Sequence, residues 1–241
     1  MAEKGLLVEP LQELYKDEVR KLGLNLGLPK ELIKTHPFPG PALGVRVLCL
    51  DNKTASRLNN KNRTITSVDY SNRILPILSV GVQGDERSYR QPLAISAPLN
   101  KIHSLHCLAT KILNKHHNIN RVLLAISGNN INLGASRAAY ITPTRIALLR
   151  KIDNLVTQEL KKSGMYYKIW QCPTVLIPFG TKHKESVVLR PFASREAMTG
   201  RAYILPIKII NKIVNKIRAL NKVDYIFYDL TDKPPGTIEW E

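Results

Sequence analysis

Two stretches decide how this chain folds: LPILSVGVQGDERSYRQPLAIS at 75–96 and CPTVLIPFGTKHKESVVLRPF at 172–192. Each reads as an apolar strand, a Gly-containing basic turn and a second apolar strand. A helical pattern follows each, and then another strand. Those strands open alike, as NINRVLLAI at 118–126 and LNKVDYIFY at 220–228. A supersecondary pattern that recurs in the same order implies an internal repeat. The fold class expected is therefore α+β, with two related small units over 44–139 and 140–241. Each would be a short strand-turn-strand sheet with helices packed on one face. Residues 1–43 would precede them as an N-terminal helix and a Pro/Gly-rich loop.

Working outward, 10–26 predicts a helix. Pro10 suits its first position, and Leu11, Leu14, Tyr15, Val19 and Leu22 recur at helical spacing. A short helix starts at Pro29. HPFPGPALG, 36–44, is too rich in Pro and Gly to be regular and reads as a rigid loop. VRVLCL, 45–50, reads as a strand, and 51–72 as a loop or poor helix. The stretch 73–84 starts extended and ends in glycines, and PLAISA, 92–97, is a strand. Helix 102–116 leads to strand 121–127 and loop 128–136. Pro143 and Gly164 bracket the longest helix, 143–163. Strands follow at 173–179 and 186–192. Helix 205–218 turns Pro206, Ile209, Ile210, Ile213, Val214 and Ile217 inward and Lys208, Lys212 and Lys216 outward. The last strand is 223–230.

The formal charge of +17 over 241 residues is the strongest compositional signal. It implies attraction to polyanions: nucleic acid, nucleotide phosphate or an acidic protein. The segment 100–163 is strongly basic and holds four of the six histidines, whereas 222–241 is net acidic. No apolar run approaches the roughly 18–20 residues of a membrane span. The N-terminus lacks the basic-then-apolar order of a secretion signal. Three widely spaced cysteines, Cys49, Cys107 and Cys172, suit a reducing cytoplasmic setting. There is no Walker-type loop, no GxGxxG and no nucleophile elbow. No catalytic constellation is complete, so no catalytic or metal residue is assigned.

Several short motifs carry weaker signals. HSLHC places His103, His106 and Cys107 at i, i+3, i+4, as a partial metal site would. The plainer reading is a helix with exposed histidines, since His116 and His117 lie too far along it to join. GVQGDERSY, 81–89, sets a glycine turn beside Arg87. Freed backbone N–H groups next to a guanidinium suit a phosphate, though any basic hairpin turn looks similar. His36 beside prolines, and Arg46, read as structural. In YKIWQCP, Gln171 beside Trp170 could read a base edge; a strand with one polar residue is commoner. The chain closes on DLTDKPPGTIEWE, 229–241. Pro234 and Pro235 fix φ and bias their predecessors toward extended geometry, so Lys233 sits on a stiff segment.

LVEPLQELYKDEVRKLGLNLGLP, HPFPGPALGVRVL, SVGVQGDERSY, MTG and DLTDKPPGTIEWE together resemble the C-terminal part of GMP synthase, the amidating ligase of purine synthesis. They occur in that family's order and span nearly the whole chain. The two-unit layout resembles the longer form, whose dimerisation region is duplicated within one chain. The resemblance implies an enzyme in which a glutaminase releases ammonia. An ATP-pyrophosphatase domain, with ATP and Mg, adenylates the C2 oxygen of xanthosine monophosphate (XMP). Ammonia then displaces AMP to give GMP. The C-terminal region would dimerise and bind XMP, with Arg87, Gln171, Lys233 and Glu239 matching positions at the nucleotide. Arg87 and Lys233 would suit the phosphate; Glu239 could accept from a purine N–H; Gln171 could read base or ribose. Departures matter as well. The SGGxDS pyrophosphate loop and the glutaminase are missing, Ala42 replaces a usual glycine, and SREAMTG has Glu196-Ala197 where DFM is typical. The chain alone would bind no cofactor and make no GMP. An ATP-pyrophosphatase domain or chain and a glutaminase are its expected partners, with no membrane. It would be either a monomer with an internal pseudo-dimer or a homodimer. The alternatives are a nucleic-acid or acidic-protein binder, or a structural assembly domain.

Overall fold

The computed structural model describes residues 8–33, 35–36, 43–60, 63–83, 86–127, 130–194 and 198–241. The chain divides into two compact units, Met1–Pro37 and Phe38–Glu241. The first holds helices α1 (Lys16–Asn25) and α2 (Lys30–Ile33). α1 starts six residues later than Pro10 suggests. Residues 9–14 are taken by i to i+3 turns (Gln12 to Glu9, Leu14 to Leu11). Tyr15 is the extended N-cap, and its backbone N–H donates to the Glu18 carboxylate at 2.8 Å. Of the expected apolar stripe, Leu11, Leu14 and Tyr15 are exposed. The expected rigid loop at 36–44 falls largely outside the described residues, as do Ala42, Glu196 and Ala197.

The second unit contains α3 (Asn52–Asn59), β1 (Ser71–Ile74), β2 (Ser79–Gln83), β3 (Glu86–Ser96), α4 (Ile102–Lys115) and β4 (Ile119–Ser127). After these come β5 (Ala135–Ser136), α5 (Pro143–Lys162), β6 (Thr174–Ile177), β7 (Phe179–Gly180) and β8 (Ser186–Leu189). It ends with β9 (Phe192–Ala193), β10 (Arg201–Ala202), α6 (Ile207–Arg218) and β11 (Ile226–Asp229). The main sheet has seven strands in the order β1-β3-β4-β11-β8-β6, with β2 added to β3. Its pairings are β1/β3 antiparallel, β3/β4 parallel, β4/β11 antiparallel, β11/β8 parallel and β8/β6 antiparallel. Order and directions therefore read the same from either end. Each half is a strand-turn-strand unit followed by a helical crossover, and the halves join into one sheet where β4 meets β11.

Strict alternation gives this sheet two apolar faces, as period-2 geometry requires. Val122 and Leu124 of β4, Ile226 and Tyr228 of β11, and Val187 and Leu189 of β8 share one core with α4, α5 and α6. The residues between them, Leu123, Phe227 and Val188, belong to a second core with Phe179, Tyr225 and Trp240. Helices thus cover one face, and the other is closed largely by the C-terminal indole and short segments.

Caps explain the helix limits. Thr142 accepts from the Arg145 N–H at 3.3 Å, Pro143 opens α5, and Gly164 follows its end at φ +70°. The weak pattern at 51–72 hides a two-turn helix, α3, whose N-cap Asp51 accepts from Thr54 N–H at 2.9 Å. VRVLCL is not a strand. Gly44–Arg46 form a 3-10 turn, and only Val47 and Leu50 make single bridges, to Leu176 and Ala139. Buried Arg46 bends the segment inward to Asp153 at 2.6 Å. In α6, Pro206 is an exposed N-cap, not a core residue. The outward Lys216 reaches back to buried Glu159 of α5 at 2.5 Å. No helix among the described residues is long and apolar enough to cross a membrane.

Candidate functional site

The C-terminal segment is built into the core. Asp229, at the end of β11, is fully buried, and so are Arg121 of β4 and Arg190 just past β8. Asp229 Oδ2 accepts from Arg121 at 3.0 Å and from the Trp240 indole N–H at 3.2 Å, and it forms an ion pair with Arg190 at 2.8 Å. Arg121 also donates to the carbonyls of Val80 at 2.8 Å, Thr237 at 3.1 Å and Glu239 at 2.8 Å. Its guanidinium lies 4.7 Å from the Trp240 ring centroid, a cation–π distance. Arg190 donates to Thr231 O at 2.9 Å and Gly236 O at 3.4 Å. One carboxylate and two guanidinium groups thereby hold residues 231–240 against the sheet.

The charges tune one another. Burial pushes Asp229 up, but Arg190, Arg121 and the bonds from Thr231 outweigh it, so the carboxyl sits below its ordinary value. Burial, then the like charge of Arg190, pushes Arg121 down to about 9, still protonated at neutral pH.

The tail also pairs with the hairpin of β2 and β3. Val82 N–H donates to Pro235 O at 2.7 Å and Val80 N–H to Trp240 O at 2.9 Å. Gly81 bridges Gly236; a Cβ on Gly81 would meet Pro235 O at 2.8 Å. That glycine is therefore required by the close approach of the tail. Asn120, next to Arg121, holds the same hairpin by donating to Ser79 O at 2.6 Å. The peptide bonds Lys233–Pro234 and Pro234–Pro235 are cis.

Each expected site residue has a definite place. Arg87 is exposed on β3, opposite Val82, whose N–H joins the tail. Lys233 exchanges two backbone hydrogen bonds with Gly200, at 2.9 and 3.1 Å. Gln171 is buried and bridges Phe192 of β9, which pairs with Ala202 of β10, two residues from Gly200. Its Oε1 is buried without a hydrogen-bond partner. Glu239 is half-buried, with its carbonyl on Arg121. Backbone pairing thus links the segments carrying all four: hairpin to tail, tail to Gly200, and Gly200 through β10 and β9 to Gln171.

Sequence reading missed the anchor. Arg121, Arg190 and Asp229 are lone charges at the ends of apolar strands, in NRVLL, VVLRP and IFYDL, and that position was the available signal. His106, singled out in HSLHC as a partial metal ligand or an exposed histidine, instead meets the tail. Its Nε2 bonds Asp232 Oδ1 at 2.8 Å, one residue before Lys233. Among the described residues no three His, Cys, Asp or Glu side chains form a metal-binding group. Burial pushes the Cys172 thiol far up and the Cys49 thiol up, so both stay protonated.

The structure thus defines an α+β module whose C-terminal segment is locked in its core, with polar side chains on the linked loops. The family profile described as GMP synthase C terminal domain matches residues 158–240. A probable glutamine-hydrolysing GMP synthase of Leptospira interrogans is 39% identical over 246 residues, covering 100% of this chain and 41% of that protein. The GMP synthase of Dictyostelium discoideum is 30% identical, covering 100% of this chain and 41% of its own length. That of Thermosynechococcus vestitus is 29% identical, covering 98% of this chain and 29% of its own length. The chain is similar to GMP synthases along its whole length and to their C-terminal domain over 158–240, and it spans about two fifths of the first two relatives.

Proposed function

We propose that this chain is the XMP-binding and positioning part of a cytoplasmic GMP synthase, not competent alone. The observation that carries the reading is the locked tail. It holds Lys233 and Glu239 on a backbone already bonded to the Arg87 hairpin and, through Gly200, to the Gln171 segment. Ordering that segment before a ligand arrives removes a cost that binding would otherwise bear. Arg87 and Lys233 would take the phosphate by charge-assisted bonds. Glu239 would accept from a purine N–H. The unpartnered Gln171 Oε1 supports a ligand donor at base or ribose, because a buried acceptor left unmade is costly. Catalysis here is alignment of XMP for chemistry done elsewhere, by an ATP-pyrophosphatase and a glutaminase. ATP and Mg would serve that chemistry.

Calorimetric titration of XMP into the whole chain tests the reading, with Lys233→Ala alongside. We expect binding by the parent and at least about tenfold weaker binding by the variant, the scale of one charged hydrogen bond. No binding at millimolar XMP, or equal binding by both, overturns it.

We also propose that 44–139 and 140–241 are duplicated dimerisation-type units forming an internal pseudo-dimer. The palindromic order of the sheet supports this: β1-β3-β4 answers β6-β8-β11 strand for strand. A chain that already supplies both halves is expected as a monomer of 27.2 kDa in light scattering. A tight dimer joined through 44–139 would count against it.

A further inference from the structure

The +17 charge is not absorbed by the tail site, and part of it converges elsewhere. A cavity of about 530 Å³ is lined by Arg57, Arg63, Arg90, His117, Leu78 and Tyr89 among others, with no carboxylate among its described lining residues. None of the three arginines is in an ion pair among the described residues. One η nitrogen of Arg90 is shielded from solvent and has no hydrogen-bond partner. A guanidinium with a buried unmet donor, beside two more cations, is an unsatisfied arrangement that an anion completes. The carboxylates of Asp229, Glu185 and Glu159 are engaged with other cations.

A second cavity, of about 280 Å³, shares Leu78 and Tyr89 with the first. The rest of its lining combines apolar and aromatic groups, among them Leu48, Tyr140 and Trp240, with the carboxylates of Asp51 and Glu241. Tyr89 is 61% exposed at the junction. The groove they form therefore carries cations in one cavity, carboxylate acceptors in the other and the Tyr89 ring in both. Arg87, Gln171, Lys233 and Glu239 line neither cavity.

We infer that this groove is a second binding site, for a phosphate ester with a planar body. The phosphate sits among Arg57, Arg63 and Arg90. The ring lies against Tyr89, with an N–H directed to Glu241. A nucleoside monophosphate has that chemistry, and inorganic phosphate has half of it.

The test is calorimetry on the whole chain with AMP and, separately, inorganic phosphate, at fixed ionic strength in chloride. Arg57→Ala, Arg63→Ala, Tyr89→Ala and Lys233→Ala are run beside the parent. The two arginines chosen are exposed, so their loss does not threaten folding. AMP is expected to bind the parent more tightly than phosphate. Each arginine change should weaken AMP about tenfold, and Tyr89→Ala should weaken AMP but not phosphate. No AMP binding at millimolar concentration overturns the inference. So does AMP binding that ignores the arginine changes. AMP binding lost only with Lys233→Ala would place AMP on the tail, overturning this site and leaving the tail reading intact. Phosphate as tight as AMP overturns the part given to Tyr89.

Discussion

Asp229→Ala should be the most damaging single change in this protein. It removes the counter-charge from Arg121 and Arg190, both fully buried and held by the same carboxylate oxygen. Breaking a buried ion pair by deleting one partner costs about 3–5 kcal/mol, because the remaining charge has no water to return to. Here two charges are stranded, and the Trp240 N–H loses its acceptor too. A folded domain holds only about 5–15 kcal/mol in total. The variant should therefore unfold at much lower urea, with the slope of the transition unchanged. Asp229→Asn keeps the shape and an acceptor but not the charge, and should fall between. The pH dependence follows from the lowered Asp229 value. A carboxyl whose folded pKa lies below its unfolded one stabilises fully above the unfolded value and loses that stability as pH falls through the folded one. The gap between parent and Asp229→Asn should thus be constant from pH 5 to 7 and shrink below about pH 4. A gap that widened in acid, or an alanine variant as stable as the parent, would mean the cluster is not the anchor.

Much of the secondary structure was legible because apolar alternation and turn chemistry are local. α4, α5, β4 and β11 fall within a few residues of their sequence-based limits. What failed depends on distant partners. VRVLCL has strand composition, yet only Val47 and Leu50 find neighbours, because Arg46 turns in to an aspartate more than a hundred residues away. The start of α1 was lost to turns that compete with Pro10 for the same residues. For the site, the stiff tail and the basic hairpin were visible as motifs, but the pairing that joins them was not. Gly81 read as part of a phosphate turn; its lack of a side chain in fact makes room for Pro235. Arg121 and Arg190 were passed over, since nothing local distinguishes a buried arginine from a solvated one. Only the meeting of β4, β8 and β11 at one carboxylate does so.

Trp240→Ala should couple stability to ligand binding. The indole is 1% exposed, packs in the second core with Leu123, Val188 and Phe227, and donates to Asp229. Truncating a buried tryptophan costs about 3–5 kcal/mol in lost packing and residual cavity. The loss falls at the end of the segment that carries Lys233 and Glu239, so the tail should loosen first. XMP affinity should then fall more than tenfold, even where urea unfolding shows most molecules still folded. Trp240→Phe separates the contributions. It keeps most of the packing and removes one hydrogen bond to a charged acceptor, worth about 1.5–3 kcal/mol. If the alanine variant lost stability but bound XMP as the parent does, the tail would be a structural strap and not a positioning element. If both fell together, with Trp240→Phe intermediate in each, the same buried contacts would hold the fold and set the site.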